Sequence, residues 1–269
     1  MENRRLLLSV AKAAARNASE LIMQAQGLDH KVSSKSTITD LVTSIDKQAE
    51  RAIKEDILTN FPNHGILAEE SGKISSDSIY QWVIDPLDGT TNFVHGLAPF
   101  CVSIALMKDN EPILGVVSEL PAGNLFWAER NEGAYCNGEP IHVSTTRSVT
   151  DALLITGFPY EHDFRWVTNM KLFKDFTNIS QGVRRLGSAA ADLCYVACGK
   201  ADGFWEIGLQ PWDSAAGVLL IMEAGGKVSR MDGKPFTIHD QHLLATNGYL
   251  HKEMLGKTVP AIASISDQG

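Results

Sequence analysis

The chain of 269 residues carries 24 Lys and Arg against 32 Asp and Glu, a formal net charge of −8, and is 44% hydrophobic and 21% charged. That length and composition allow a large buried core, which excludes a disordered or low-complexity protein. The acidic balance argues against a surface made chiefly for nucleic acid and suits divalent cations, although most carboxylates on such a chain serve only as solvated surface.

The first stretch, from about Arg4 to Gln26, is rich in Ala and Leu. Leu7, Val10, Ala14, Ala18, Leu21 and Ile22 fall on one helical face, and Gly27 is placed to stop the helix. Lys12 and Arg16 cut the apolar run short, so it reads as neither a signal segment nor a membrane span. The four cysteines, Cys101, Cys136, Cys194 and Cys198, form no CxxC pair. They read as free thiols, which points to the cytoplasm.

From Lys35 to Asp46 the polar opening predicts a loop. Thr43 and Asp46 fit a capping box for a second helix, with Ile45, Ala49, Ala52, Ile53 and Ile57 on one face and an end near Phe61-Pro62. Gly65–Ala68 reads as a short strand ending in Glu69-Glu70-Ser71-Gly72, with a polar, mobile segment after it. Trp82 to Asp85 is an apolar run that reads as a buried strand and breaks at Pro86. Asp85 and Asp88 follow three residues apart, and Gly89 turns into Thr90-Thr91, which can open a helix. Hard oxygen ligands at a strand end beside free backbone N–H groups make a layout for metal and phosphate.

Strand-like runs then come close together: Cys101–Met107, Pro112–Glu119, Leu125–Glu129, Gly133–Cys136 and, after the turn Asn137-Gly138, Ile141–Val143. They predict an antiparallel meander and an α+β half. The second half alternates. Strands are predicted at Ala152–Thr156, Gly182–Arg185, Asp202–Glu206, Lys227–Arg230 and Leu243–Thr246. Helices are predicted at Asp163–Thr177, from Gly187 to Cys198, from Pro211 to Gly225, and from near Tyr249. Phe164, Val167, Leu172 and Phe176 form the expected inner side of the first of these. This alternation indicates an α/β half, with a boundary between Thr145 and Asp151 that divides the chain into residues 1–147 and 148–269. Asp213 stands out because it lies in the first turn of a nearly all-apolar helix. A buried carboxylate costs several kcal/mol unless it is paired or bound to metal, whereas capping its own helix offsets only about 0.3–1 kcal/mol.

Asp85-Pro-Leu-Asp-Gly-Thr-Thr-Asn92 together with Trp212-Asp213-Ser-Ala-Ala-Gly217 resembles the paired signature of the inositol monophosphatase family. Asp40–Asp46, Glu69-Glu70-Ser71, Gly187-Ser-Ala-Ala and Phe204-Trp-Glu206 match further family segments in the expected order. Gly157-Phe-Pro-Tyr160 and Arg184-Arg-Leu-Gly-Ser188 are similar to the bacterial, SuhB-type branch. The resemblance implies a layered αβαβα sandwich of the inositol monophosphatase and fructose-1,6-bisphosphatase type. It also implies hydrolysis of a phosphate monoester, first of all myo-inositol monophosphate, with two to three Mg²⁺ ions, sensitivity to Li⁺ and a homodimer. Carried over by residue, Glu69, Asp85 and the Leu87 carbonyl hold one metal, and Asp85, Asp88 and Asp213 another. A third ion leans on Glu69 through waters. Gly89 and Thr90 bind phosphate, and Thr90 with Asp46 directs the attacking water. Asp88, Gly187, Ser188, Ala189 and Glu206 meet the alcohol, and Lys35 matches a basic position near a mobile loop. The chain departs from many relatives at Gly96-Leu-Ala-Pro99, and His95 reads as a loop histidine. Histidinol phosphate, fructose 1,6-bisphosphate and nucleoside 3′,5′-bisphosphate are rival substrates, and Glu206 speaks for a polyol because a carboxylate accepts from adjacent hydroxyls. A regulatory role with RNA polymerase or RNA is the alternative outside catalysis, which the net charge of −8 does not encourage.

Overall fold

The structure, a computed structural model, describes residues 3–28, 32–34 and 41–266. Lys35 and Asp40 lie outside the described residues. After helix α1 (Arg4–Ala25) a short antiparallel pair, β1 (Val32–Ser34) and β2 (Leu41–Thr43), leads into α2 (Ser44–Asn60). β3 (Gly65–Ala68), β4 (Gly72–Ile74), β5 (Tyr80–Asp88), the short helix α3 (Thr90–Val94), β6 (Phe100–Lys108), β7 (Glu111–Leu120), β8 (Asn124–Glu129), β9 (Ala134–Cys136) and β10 (Glu139–Pro140) follow. The strands β3 to β10 form one eight-stranded sheet in the order β10-β9-β8-β7-β6-β5-β3-β4. It is an antiparallel meander except where β3 runs parallel to β5. The remaining chain gives β11 (Leu153–Thr156), α4 (Phe164–Thr177), β12 (Gly182–Arg184), α5 (Ala189–Ala197), β13 (Gly203–Ile207), α6 (Pro211–Glu223), β14 (Lys227–Ser229), β15 (His242–Thr246) and α7 (His251–Ser266). Its five strands order as β12-β11-β13-β15-β14.

The apolar residues sort these elements into five layers. Leu7, Ala14 and Ile22 of α1 and Ile53 and Ile57 of α2 meet Trp82, Ile84, Ile104 and Val116 on one face of the large sheet. Val83, Ala105, Val117 and Phe126 on its other face meet Leu193 of α5 and Leu219 of α6, which also touch Ile155, Phe204 and Leu243 of the small sheet. Leu172 and Phe176 of α4 and Met254 of α7 cover the far face at Leu154, Trp205 and Leu244. The result is the αβαβα stack. β5 carries an apolar run at Trp82–Ile84 and β6 is apolar but for Ser103 and Lys108, because helices cover both of their faces. α6 is apolar all round because it is the middle layer. It fits there through small residues: a Cβ on Gly115 of β7 would lie 2.9 Å from the Ala216 carbonyl oxygen, and one on Gly217 would lie 2.5 Å from Leu193 Cβ.

Three expectations are corrected. Ile141–Val143 is not a strand; β10 is Glu139–Pro140, and the Val143 N–H leaves the sheet to bond the Ala224 carbonyl after α6. β4, expected as loop, pairs as an edge strand with β3. Phe164 and Val167 do not face inward but are 48% and 60% exposed; the buried positions of α4 are Asn169, Leu172 and Phe176. No helix among the described residues is long and apolar enough to cross a membrane.

Candidate active site

The site is built on the end of β5. Strand alternation sends Trp82 and Ile84 toward α1 and α2, and Val83 and Asp85 toward α5 and α6. Strict alternation would turn Asp88, three residues on, back to the first side. The pairing with β6 slips instead: Asp85 stands opposite Ser103 and Asp88 opposite Cys101, three steps on β5 against two on β6. This bulge places both carboxylates on the α5/α6 side and leaves Leu87 in the core under α1 and α2. Pro86 occupies the bulge, where the missing N–H does no harm, and the Leu87 N–H donates to Asp85 Oδ1 at 3.0 Å.

Gly89 comes next with φ +91. A Cβ there would lie 3.2 Å from the Gly187 carbonyl oxygen, the Pro99 carbonyl oxygen and Phe100 Cβ, so both backbone and space require glycine. Asn92 on α3 donates to the carbonyls of Pro99 at 2.6 Å and Leu186 at 2.7 Å, which ties the Asp85–Gly89 turn to the loop ahead of α5. Glu69 follows β3 directly. Its N–H bonds the Ile84 carbonyl at 3.1 Å and its side chain hydrogen-bonds Asp85. Asp213 arrives from α6, with Oδ2 accepting the Gln210 N–H at 2.7 Å; the Ser103 hydroxyl on β6 donates to the Trp212 carbonyl at 3.4 Å and so anchors the start of that helix.

Four carboxylates thus gather from three places in the chain: the end of β3, the end of β5, which supplies two, and the start of α6. Burial pushes the Asp85 carboxyl well above its ordinary value, and the charges of Glu69, Asp88 and Asp213 add to the effect. Asp213 is pushed well up by burial and then by Asp88, against the hydrogen bond from Gln210. Burial also raises Asp88, while the Ala190 N–H at 2.7 Å and the Ser188 hydroxyl at 2.8 Å, both donating to Oδ2, hold it down. Two carboxylates ~5 Å apart repel by on the order of 3 kcal/mol at an effective dielectric of ~20, so a cluster of this kind is kept ionised only by a cation. The donor set is all oxygen, with no thiolate or imidazole, which suits Mg²⁺, Ca²⁺ or Mn²⁺. Among the described residues no three His, Cys, Asp or Glu side chains are already closed into a ligand cage.

Asp46 and Thr90 stand beside this cluster. Asp46, fully buried, accepts from the Thr43 N–H at 2.8 Å and the Thr43 hydroxyl at 2.6 Å through Oδ2, which completes the expected capping box. Its Oδ1 lies 3.0 Å from the Thr90 hydroxyl, which also lies 3.1 Å from the Leu87 carbonyl. The helix-start carboxylate and the candidate active-site carboxylate are therefore one group with two tasks.

The remaining wall lies at the end of the small sheet. Glu206 on β13 is pushed up to about 8 by burial and by Asp88, with Arg185 opposing. It fills the space over Gly157, where a Cβ would lie 2.2 Å from its Oε2. Two adjoining cavities of about 310 and 90 Å³ share Glu206 and Asp213; the larger reaches Glu69 and the smaller reaches Asp88, Gly187, Ser188 and Ala189. The structure brings together every candidate site residue except Lys35, which lies outside the described residues. His95 caps the exposed end of α3 and is not part of the cavity lining. Gly157, Arg185 and Asp192 also line the smaller cavity; sequence reasoning named the first two only within family segments, without a place in the site, and missed Asp192. Asp192 was open to the argument applied to Asp213, a carboxylate in an otherwise apolar helix.

Comparison with known proteins places this arrangement among layered phosphatases: residues 3–264 match the model of the inositol monophosphatase family. The chain belongs to that family. It is 48% identical to the chloroplastic phosphatase IMPL1 of Arabidopsis thaliana over 98% of this chain and 72% of that protein. It is 45% identical to an inositol-1-monophosphatase of Synechocystis over 92% of this chain and 86% of that one. It is also 42% identical to the Nus factor SuhB of Escherichia coli K12 over 93% and 94% of the two chains. Among solved structures, the extragenic suppressor protein suhB of Bartonella henselae superposes with a TM-score of 0.90 at 36% identity, covering 94% of this chain and 98% of that one.

Proposed function

We propose that the protein is a cytoplasmic, Mg²⁺-dependent phosphatase that hydrolyses a small phosphate monoester, myo-inositol monophosphate first, to the alcohol and phosphate. The observation that carries this reading is Asp85, 2% exposed and pressed against Glu69, Asp88 and Asp213 beside the glycine turn that opens α3. Glu69, Asp85 and the Leu87 carbonyl would hold one ion, and Asp85, Asp88 and Asp213 a second; a third would lean on Glu69. Bound Mg²⁺ neutralises phosphoryl charge, acidifies a water and holds the leaving oxygen. Gly89 and Thr90 receive the phosphate oxygens through backbone N–H groups. The Thr90 hydroxyl takes a hydrogen bond from the attacking water and passes its own to Asp46, which Thr43 holds in place. Asp88, Gly187, Ser188, Ala189 and Glu206 face the alcohol. Lys35 is assigned to substrate binding, near a mobile loop, by the family resemblance alone.

A homodimer is supported by the outward side of α4, where Phe164, Val167 and Met170 are exposed near Tyr160. The test of the enzymatic reading is phosphate release from a panel of small phosphate esters, with Mg²⁺, with a chelator and with Li⁺. Mg²⁺-dependent release from inositol monophosphate supports it, and no release from any ester in the panel refutes it.

A second reading is favoured by the likeness to the Nus factor SuhB: a regulatory protein that associates with the transcription machinery. Capture of RNA polymerase from cells, equal for wild type and Asp88→Asn, would support that role independently of catalysis. Loss of capture in the variant would tie any association to the metal site.

A further inference from the structure

Asp192 has no part in the chemistry above, yet it is 1% exposed and none of the described residues closes a hydrogen bond to its Oδ1. It lies one turn beyond Ser188 on α5, in the wall of the 90 Å³ cavity with Glu206, Arg185 and Ser188. The charges that bear on it are Glu206 and Asp88, which repel it, and Arg185, which attracts it. A buried carboxylate with an unpartnered oxygen is rare and costly, and this one belongs to a residue that walls the cavity.

We propose that Asp192 is a specificity-determining residue that accepts a hydrogen bond from one hydroxyl of the leaving alcohol, directly or across one water, beside the hydroxyl taken by Glu206. The substrate class is then the monophosphate of a neutral polyol with adjacent hydroxyls. The inference rests on the phosphatase reading and deepens it. A hydroxyl both donates and accepts, so two neighbouring hydroxyls satisfy both carboxylates and still take a bond from Arg185. An ammonium group has no lone pair to accept from Arg185, and a second phosphate would meet Asp192 and Glu206 as like charges. The sequence carries the same arrangement in compressed form: Arg185 and Asp192 flank Gly187-Ser-Ala-Ala, so one turn of chain supplies the cation, the hydroxyl on Asp88 and the second carboxylate.

The experiment is steady-state kinetics of wild type and Asp192→Asn on inositol 1-phosphate, on its analogues lacking one hydroxyl in turn, and on 4-nitrophenyl phosphate. The expected result is a roughly tenfold rise in KM on the polyol ester with kcat held, and less than a twofold change on the nitrophenyl ester. One missing hydroxyl should weaken wild type roughly tenfold and have no further effect in Asp192→Asn, since the pair is then already broken. The analogue series on wild type alone still bears on the question if the variant does not fold: no analogue weaker than the parent overturns the proposal. Parallel losses on both esters overturn it too, because they show Asp192 supporting the fold, and so does better turnover of an amino-alcohol phosphate. Wild type inactive on every ester would instead overturn the phosphatase reading, and the inference with it.

Discussion

Gly157→Ala perturbs the leaving-group wall without removing a carboxylate. A Cβ at this position would lie 2.2, 2.3 and 2.4 Å from Oε2, Oε1 and Cδ of Glu206, where ordinary contact begins at 3.4 Å. The backbone tolerates alanine, since Gly157 is not among the glycines with positive φ. Glu206 must therefore retreat by about 1 Å, and the 310 Å³ cavity gives it somewhere to go. Because only the free end of one side chain moves, the stability cost stays near the low end of the overpacking range, ~1 kcal/mol, or about 2–4 °C in melting temperature for a chain of this size. The effect on function is larger: a 1 Å misplacement of a positioning group costs up to roughly 10²-fold. Phosphate release at steady state should fall by that order on inositol monophosphate and by less than about threefold on 4-nitrophenyl phosphate, which has no hydroxyl for Glu206. Equal losses on the two esters, or no loss on the first, would refute the assignment of Glu206 to the alcohol.

Three further outcomes follow from the same geometry. Asp85→Asn should abolish turnover, at least ~10³-fold, and yet raise the melting temperature of metal-free protein, because an amide among three carboxylates avoids the cost of either holding a buried charge or taking up the proton that a raised carboxyl needs at neutral pH; calorimetry without and with Mg²⁺ checks both halves. Thr90→Ala should cut kcat by about 10²-fold with KM little changed, and Thr90→Ser, which keeps the hydroxyl on Asp46, should recover most of it. His251 is buried between the Ser229 hydroxyl at 2.9 Å and the Thr246 hydroxyl at 3.0 Å, and burial lowers its pKa to about 4. The unfolded chain then binds a proton below about 6.5 that the folded chain refuses, so stability falls as pH drops from about 6.5 to 4, by about 1–2 kcal/mol after solvent screening. Asp85 and Asp213, with raised values, act in the opposite direction. Urea unfolding of wild type against His251→Asn across that range isolates the histidine, and identical pH slopes would contradict its assignment.

The elements and the two halves were legible because burial writes itself into composition, whereas their stacking in five layers was implied by the family resemblance. β5 carries an apolar run at Trp82–Ile84 and β6 is apolar but for Ser103 and Lys108, since both faces are covered, and α6 betrayed both its burial and Asp213 by lacking a polar face. What could not be read was geometry that breaks a period. Asp85 and Asp88, at an odd spacing, belong on opposite faces of an ideal strand; only the slip against Ser103 and Cys101 unites them, and Pro86 is the one local hint of it. Phe164 and Val167 misled because an apolar residue on a helix face says nothing about whether another layer lies opposite. Ile141–Val143 failed for a related reason: its β-branched residues suit a strand, and the Ile141 N–H does reach Ala134 at the start of β9, but the Val143 N–H goes to Ala224 at the end of α6 instead of to a neighbour strand. Asp192 was missed although its position on an apolar helix made it as conspicuous as Asp213.

The central claim is that Glu69, Asp85, Asp88 and Asp213 exist to hold divalent cations. Isothermal titration of Mg²⁺ into wild type and Asp213→Asn at neutral pH tests it without reference to any substrate. The account predicts at least two ions bound by wild type, with protons released as the raised carboxyls ionise, and the loss of one of those ions in the variant. No heat of binding in wild type, or the same stoichiometry and affinity in both proteins, would contradict it.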